Sequence, residues 1–266
     1  MKNFLYSLFI GLFGIAALTS IAFLLMYAAQ SKQQAHLYSD LAAVRKQDTQ
    51  QETASEPEKQ ASYQNLYWEN TDMVGWILIE DTNIDYPVMQ TPTDPTYYLK
   101  HDFEKNYTDY GCPFMQADCD ALAPSDNLIL YGHNMKDGTM FGRLAQYEKN
   151  LEYLKAHAFI DFSTLWHQER YVVFAVLDVS LDIGDDRFVE YFAHPTFKSD
   201  EEFERYIRRV ELASLYAIPM DVKPTDALLT LSTCLDEDRL VILARRQREG
   251  EKTASLREII NMAVRQ

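Results

Sequence analysis

The chain has 266 residues, with 25 Lys plus Arg against 40 Asp plus Glu, giving a formal net charge of −15. That sign excludes a nucleic-acid binder working by bulk electrostatics, which needs clustered cations, and 47% hydrophobic with 24% charged residues excludes a disordered chain. The three cysteines, Cys112, Cys119 and Cys234, contain no CxxC pair, which excludes a disulfide scaffold and a cysteine-built zinc or redox site.

In chain order, the first element is apolar. No residue from Asn3 to Ser31 is charged, and Phe4 to Ala29 would be about 39 Å long as a helix, against a hydrocarbon core of about 30 Å. The run is too long for a signal-peptide core, and Ala28-Ala29 is a poor cleavage site, so residues 1–29 are expected to be a retained transmembrane signal anchor. Lys2 on one side and Lys32, Arg45 and Lys46 on the other leave the orientation open. No second span is expected, because the C-terminal stretch carries Arg257, Glu258 and Arg265.

Residues 30–62 are polar. Their large aliphatic residues Leu37, Leu41 and Val44 fall at helical spacing, which predicts a stalk with one short helix near His36 to Lys46. From Tyr63 the pattern becomes short apolar runs between turn residues. Strands are predicted at Gly75–Ile79, Ile84–Val88, Asn127–Tyr131, Tyr171–Val179, Ala227–Cys234 and Arg239–Ala244, the first two joined by Asp81-Thr82-Asn83. Helices are predicted at Phe141–Ala156 and at Ser199–Tyr216. The second opens with the capping box Ser199-Asp200-Glu201-Glu202, repeats Phe203, Tyr206, Ile207 and Val210, and is stopped by Pro219. A further C-terminal helix is placed in 251–266. This order predicts a mainly β fold with inserted helices, a barrel or sandwich.

Chemistry points to the strand ending at Cys234. Alternation puts Leu229, Leu231 and Thr233 on one face and Thr230, Ser232 and Cys234 on the other. Four residues then precede Arg239, a hairpin length that makes Cys234 and Arg239 a cross-strand pair. A cation beside a thiol favours the nucleophilic thiolate, and a guanidinium also stabilises an oxyanion. The same pair is equally read as a small core residue and an ordinary strand-end charge.

A leaving amine needs a proton donor, usually histidine. His133 follows the strand Leu128–Tyr131 and Gly132, at a strand's C-terminal edge where loops carry function. His101 is its nearest rival. His36 falls in the stalk, and His157 and His167 fall near element ends. Tyr97, Tyr98 and Tyr191 serve either a peptide groove or the barrel core.

Four ordered blocks carry a resemblance: Val74-Gly75-Trp76-Ile77 with Ile84 to Val88, Tyr97 to Phe103, Tyr131 to Phe141 with its Gly132-His133-Asn134, and Thr230-Leu231-Ser232-Thr233-Cys234 followed by Arg239-Leu240-Val241. Over roughly Asn70 to Ala244 the chain resembles the sortases, specifically those of class B, and the helix from Ser199 matches an insertion of that class. The resemblance implies a closed β-barrel catalytic domain over 63–250, outside the membrane of a Gram-positive cell. It implies a cysteine transpeptidase without metal or organic cofactor. Cys234 would attack the Thr carbonyl of a sorting signal in a secreted protein, His133 would move protons, and Arg239 would hold the substrate backbone and oxyanion. A peptidoglycan-precursor amine would accept the acyl group. Ser232, Tyr131 and Leu99 are the expected groove residues. A transpeptidase joining pilus subunits through Lys, and a tethered scaffold with a degenerate site, are the alternatives.

Two features depart from the family pattern. The connection from Cys234 to Arg239 is short and carries Asp236, Glu237 and Asp238, which would oppose thiolate formation if they faced inward. Asp236 is instead a candidate to orient His133 or Arg239. Cys112 and Cys119, seven positions apart, either bridge or stay unpaired.

Overall fold

The computed structural model describes residues 2–51, 61–235 and 237–266. By internal contacts it divides into Met1–Asp40 and Leu41–Gln266.

The first helix, α1, runs unbroken over Lys2–Gln51. The expected short stalk helix is therefore part of one long helix, because no Pro or Gly interrupts the chain after Gly14 within it. Its segment Phe9–Lys46 is long and apolar enough to cross a bilayer. The end of the expected stalk, residues 52–60, lies outside the described residues.

After α2 (Ala61–Glu69), the strands β1 (Met73–Leu78) and β2 (Asp85–Met89) pair antiparallel around the expected turn. Asp81 takes a positive φ of 60° there, and the Thr82 hydroxyl donates to the Ile79 carbonyl at 2.7 Å. A two-residue β3 (Phe114–Met115) precedes β4 (Asn127–Tyr131).

The expected helix over 141–156 is in fact three pieces: a 3₁₀ turn Gly142–Leu144, α3 (Ala145–Lys149) and α4 (Leu151–Ala156). Asn150 causes the break. Its backbone is extended (φ −141°, ψ 107°), and its side chain caps α4 by accepting from the amides of Glu152 and Tyr153. Then come β5 (Phe159–Thr164) and β6 (Gln168–Val179).

Helix α5 (Asp200–Ala213) starts where the capping box places it. Ser199 is the cap, accepting from the Glu202 amide, and Phe203, Tyr206, Ile207 and Val210 are all buried. It stops at Ser214, not at Pro219: the chain bends into β7 (Tyr216–Ala217), and the Ser214 hydroxyl donates to the Tyr216 carbonyl at 2.9 Å. The last elements are β8 (Leu228–Leu235), β9 (Asp238–Arg246), α6 (Thr253–Asn261) and β10 (Val264–Arg265), which pairs with β7.

Eight strands close into a barrel in the order β1-β2-β3-β4-β8-β9-β6-β5. Ile77, Val88, Ile129, Leu130, Leu177, Leu231 and Ile242 are fully buried in it. Two neighbours run parallel, β2 with β3 and β4 with β8; the other pairs are antiparallel. The parallel β4–β8 pair positions the candidate site. Two parallel strands end at the same rim, so residues just past β4 meet residues at the end of β8.

Candidate active site

At that rim the ladder pairs Tyr131 with Ser232. It continues one step, because the Gly132 amide donates to the Ser232 carbonyl at 3.2 Å and the Thr233 hydroxyl donates to the Gly132 carbonyl at 2.7 Å. Gly132 has to be glycine: a Cβ there would lie 2.7 Å from the buried Phe141 ring. The next two residues are tied as well. The Phe141 amide donates to the His133 carbonyl at 2.9 Å, and Asn134 Nδ2 donates to the Cys234 carbonyl at 2.8 Å. The nitrogen Nε2 of His133 lies 2.7 Å from the main-chain oxygen of Leu99.

On the other side of β8, Cys234 stands opposite Arg239 in the β8–β9 register, as the hairpin length predicts. The connection is tighter than four residues, since Leu235 already pairs with Asp238. Cys234 is exposed, whereas Cys112 and Cys119 are buried thiols that do not bridge. Cys112 donates to the Pro87 carbonyl and Cys119 to the Asn127 carbonyl, each at 3.5 Å.

The hairpin carboxylates are placed as follows. Asp238 is bound by Arg187 Nη1 at 2.8 Å, and Arg187 also holds Asp178 at 2.9 Å and Asp185 at 3.0 Å. Its charge is thus met by a cation from the β6–α5 connection. Glu237 is exposed. Asp236, the candidate orienting carboxylate, lies outside the described residues. Arg239 donates from Nη1 to the Asp238 carbonyl at 2.9 Å.

The three expected groove residues are placed differently from one another. Leu99 is exposed, on a 3₁₀ turn Tyr97–Leu99 beside His133. Tyr131 is half-buried and its hydroxyl donates to Gln116 Oε1. Ser232 is buried, with its hydroxyl 2.8 Å from that of Tyr191. The polar face of β8, with Thr230 and Ser232, is covered as far as Ser232 and opens only at Cys234. Burial is the main cause raising both Tyr131 and Tyr191 above the usual phenol range, and the Arg239 charge pulls both the other way. His101 stays away from this chemistry: it stacks on Tyr97 with centroids 3.9 Å apart and bonds the Tyr97 carbonyl at 2.8 Å.

Sequence reasoning assigned no role to Asn134 or Arg187, and it treated Leu99 only as a side chain. Asn134 does sit in the Gly132-His133-Asn134 block, next to a candidate catalytic residue, which is a usable signal. Arg187 lies in a connection without periodicity, and a carbonyl oxygen has no sequence signature.

Residues 77–247 match the family model of the sortase domain. Sortase B of Listeria monocytogenes is 34% identical over 165 residues, which cover 62% of this chain and 63%, just under two thirds, of that protein. The structure of sortase B from Bacillus anthracis in complex with AAEK1 matches with a TM-score of 0.70 at 27% identity, over 83% of this chain and 99% of that one. A Staphylococcus aureus sortase B–substrate complex matches with a TM-score of 0.73 at 25% identity, over 84% and 100%.

Proposed function

The chain belongs to the sortase family, and from that premise we propose that it is a membrane-anchored cysteine transpeptidase of the sortase B type. Its substrates are secreted proteins that carry a sorting signal. The observation that carries this reading is the rim itself: an exposed thiol at Cys234, a guanidinium opposite it at Arg239, and His133 beside an asparagine bonded to the Cys234 carbonyl.

In the proposed reaction the Cys234 sulfur, as thiolate, attacks the Thr carbonyl of the signal. A C–S bond forms, and the tetrahedral oxyanion accepts hydrogen bonds from Arg239. The amide C–N bond then breaks as His133 donates a proton to the departing amine. An amine of a peptidoglycan precursor attacks the thioester, gives its proton to His133 and releases the thiolate. Dividing one amide exchange into two acyl transfers needs neither metal nor organic cofactor. The exposed Leu99 side chain forms an apolar wall beside His133. Tyr131 and Ser232, whose hydroxyls already have protein partners, shape the groove beneath it. The apolar part of α1 is the membrane anchor, with the barrel on the extracellular side.

The test uses the full chain in detergent, a library of sorting-signal peptides and candidate amines, read by mass spectrometry. The wild type should give a thioacyl adduct on Cys234 and amine-linked products, and Cys234→Ala should give neither. Cleavage by that variant at the wild-type rate would overturn the reading. Transfer to lysine amines alone would favour the joining of protein subunits.

A further inference from the structure

The bond from His133 Nε2 to the Leu99 oxygen, at 2.7 Å, fixes more than a position. A carbonyl only accepts, so Nε2 carries the proton, and a neutral ring then has its lone pair on Nδ1. The oxygen itself is held firmly. Leu99 closes a 3₁₀ turn in which its amide donates to the Thr96 carbonyl at 3.0 Å, and the Lys100 amide donates to the Tyr97 carbonyl at 3.2 Å. Gly111 runs against this turn at φ +60°, where a Cβ would lie 2.5 Å from the Tyr98 oxygen and 2.8 Å from the Leu99 oxygen. The Cys112 amide, one residue on, donates to the Tyr98 carbonyl at 2.9 Å.

Asp109 is the nearby carboxylate whose electrostatics involve His133, although its carboxyl is held low mainly by Lys100. It is a poor candidate to orient the ring. Its oxygen accepts from Lys100 Nζ at 2.8 Å, and its side chain is 66% exposed, so solvent and a cation both screen it.

We propose, resting on the transpeptidase reading, that the Leu99 main-chain carbonyl is the positioning group for His133. It takes the place that a carboxylate side chain holds in a Ser-His-Asp triad. Nδ1 is then the nitrogen that exchanges protons with Cys234 and the two amines. The carbonyl selects the tautomer and the ring angle without putting a full negative charge beside the ring. Gly111 is the residue that makes this possible, because any side chain there would displace the oxygen.

The experiment is nitrogen NMR of the histidine rings in the full chain in detergent, with His133 assigned by the signals lost in His133→Gln. The neutral His133 ring should show a proton on Nε2 and none on Nδ1. An active wild-type enzyme with the proton on Nδ1, or with both tautomers equally populated, would overturn the proposal. Gly111→Ala should lose the Nε2 proton signal, and kcat should fall about tenfold or more with KM within about twofold. Unchanged kcat and an unchanged tautomer in a folded Gly111→Ala would also overturn it. The wild-type measurement does not depend on that variant folding. A wild type with the Nε2 proton that transfers no peptide would sink the transpeptidase reading and leave the ring assignment standing.

Discussion

Cys234 and Arg239 face each other one register position before the end of the β8–β9 ladder, at the point where the strand leaves the covered part of the barrel. The pairing fixes the backbone positions of thiol and guanidinium through ladder hydrogen bonds, so the two do not depend on a mobile loop to meet. If Arg239 serves the oxyanion, its planar fork of donors matters more than its charge. Arg239→Lys should keep the fold and lose about 100-fold in kcat, the scale of removing one oxyanion donor. Turnover of the peptide substrate near the wild-type rate would remove Arg239 from the proposed mechanism.

Asn134 is the tie between the two halves of the rim, since its amide holds the Cys234 carbonyl across 100 positions of sequence. The bond is exposed, so its loss should cost only about 1 kcal/mol of stability. Its effect on turnover should be larger, because catalytic groups that drift apart lose rate steeply. Asn134→Ala should lower kcat about tenfold with KM little changed. Asn134→Asp should be worse than alanine, because an ionised carboxylate has no proton to donate and would set its oxygens against the Cys234 carbonyl. Steady-state kinetics on both variants checks the order; an aspartate variant better than alanine would show that the bond is not what matters.

The three thiols should separate cleanly by reactivity. Burial pushes the Cys119 thiol up to about 11, which keeps it protonated at neutral pH, and only 5% of the residue is accessible. Cys112 is 3% accessible, while Cys234 is exposed. Iodoacetamide on the folded chain at neutral pH should therefore modify Cys234 alone, with Cys112 and Cys119 reacting only after denaturation. Peptide mapping reads the result. Early alkylation of Cys119 would contradict its placement.

Much of this architecture was legible because its signals are local. The alternation in Leu228–Cys234 and the short step to Arg239 gave the β8–β9 hairpin, and the spacing of Phe203, Tyr206, Ile207 and Val210 gave the buried face of α5. What failed was whatever depends on a second layer or on very few residues. Strand β3 has two residues and no pattern to detect, and β5 follows α4 so closely that its Phe159, Ile160 and Phe162 merge with the preceding apolar run. Alternation marked Thr230 and Ser232 as part of one small, polar face distinct from the core face. Both are buried, because Tyr191 lies against Ser232 and Asn127 accepts the Thr230 hydroxyl at 2.8 Å. Asn150 is an ordinary polar residue within a helical pattern until its capping geometry is seen. At the rim, the pairing of Cys234 with Arg239 was readable from the hairpin length, while the contact of His133 with the Leu99 carbonyl was hidden from any reasoning about residue types.

Away from the rim, the barrel depends on a buried cation. Arg245 on β9 is 1% exposed, and its guanidinium bonds Glu251 through Nη1 at 2.9 Å and through Nη2 at 2.8 Å. Removing the anion would leave a charge in the interior, which costs about 3–5 kcal/mol when both partners are fully buried. Glu251 is 24% exposed, and glutamine keeps one accepting oxygen. Glu251→Gln should therefore destabilise the chain by the smaller amount of about 2 kcal/mol at neutral pH. The pH dependence has a definite sign. The Arg245 hydrogen bonds hold the Glu251 carboxyl below its ordinary value. Its stabilisation is thus fully present above the unfolded glutamate pKa of about 4.3 and disappears as pH falls through the lower folded value. Urea titrations of wild type and variant, followed by tryptophan fluorescence, should show a gap at pH 7 that closes in strong acid. A gap that stayed constant into acid would mean that packing around residue 251, and not its charge, supports Arg245.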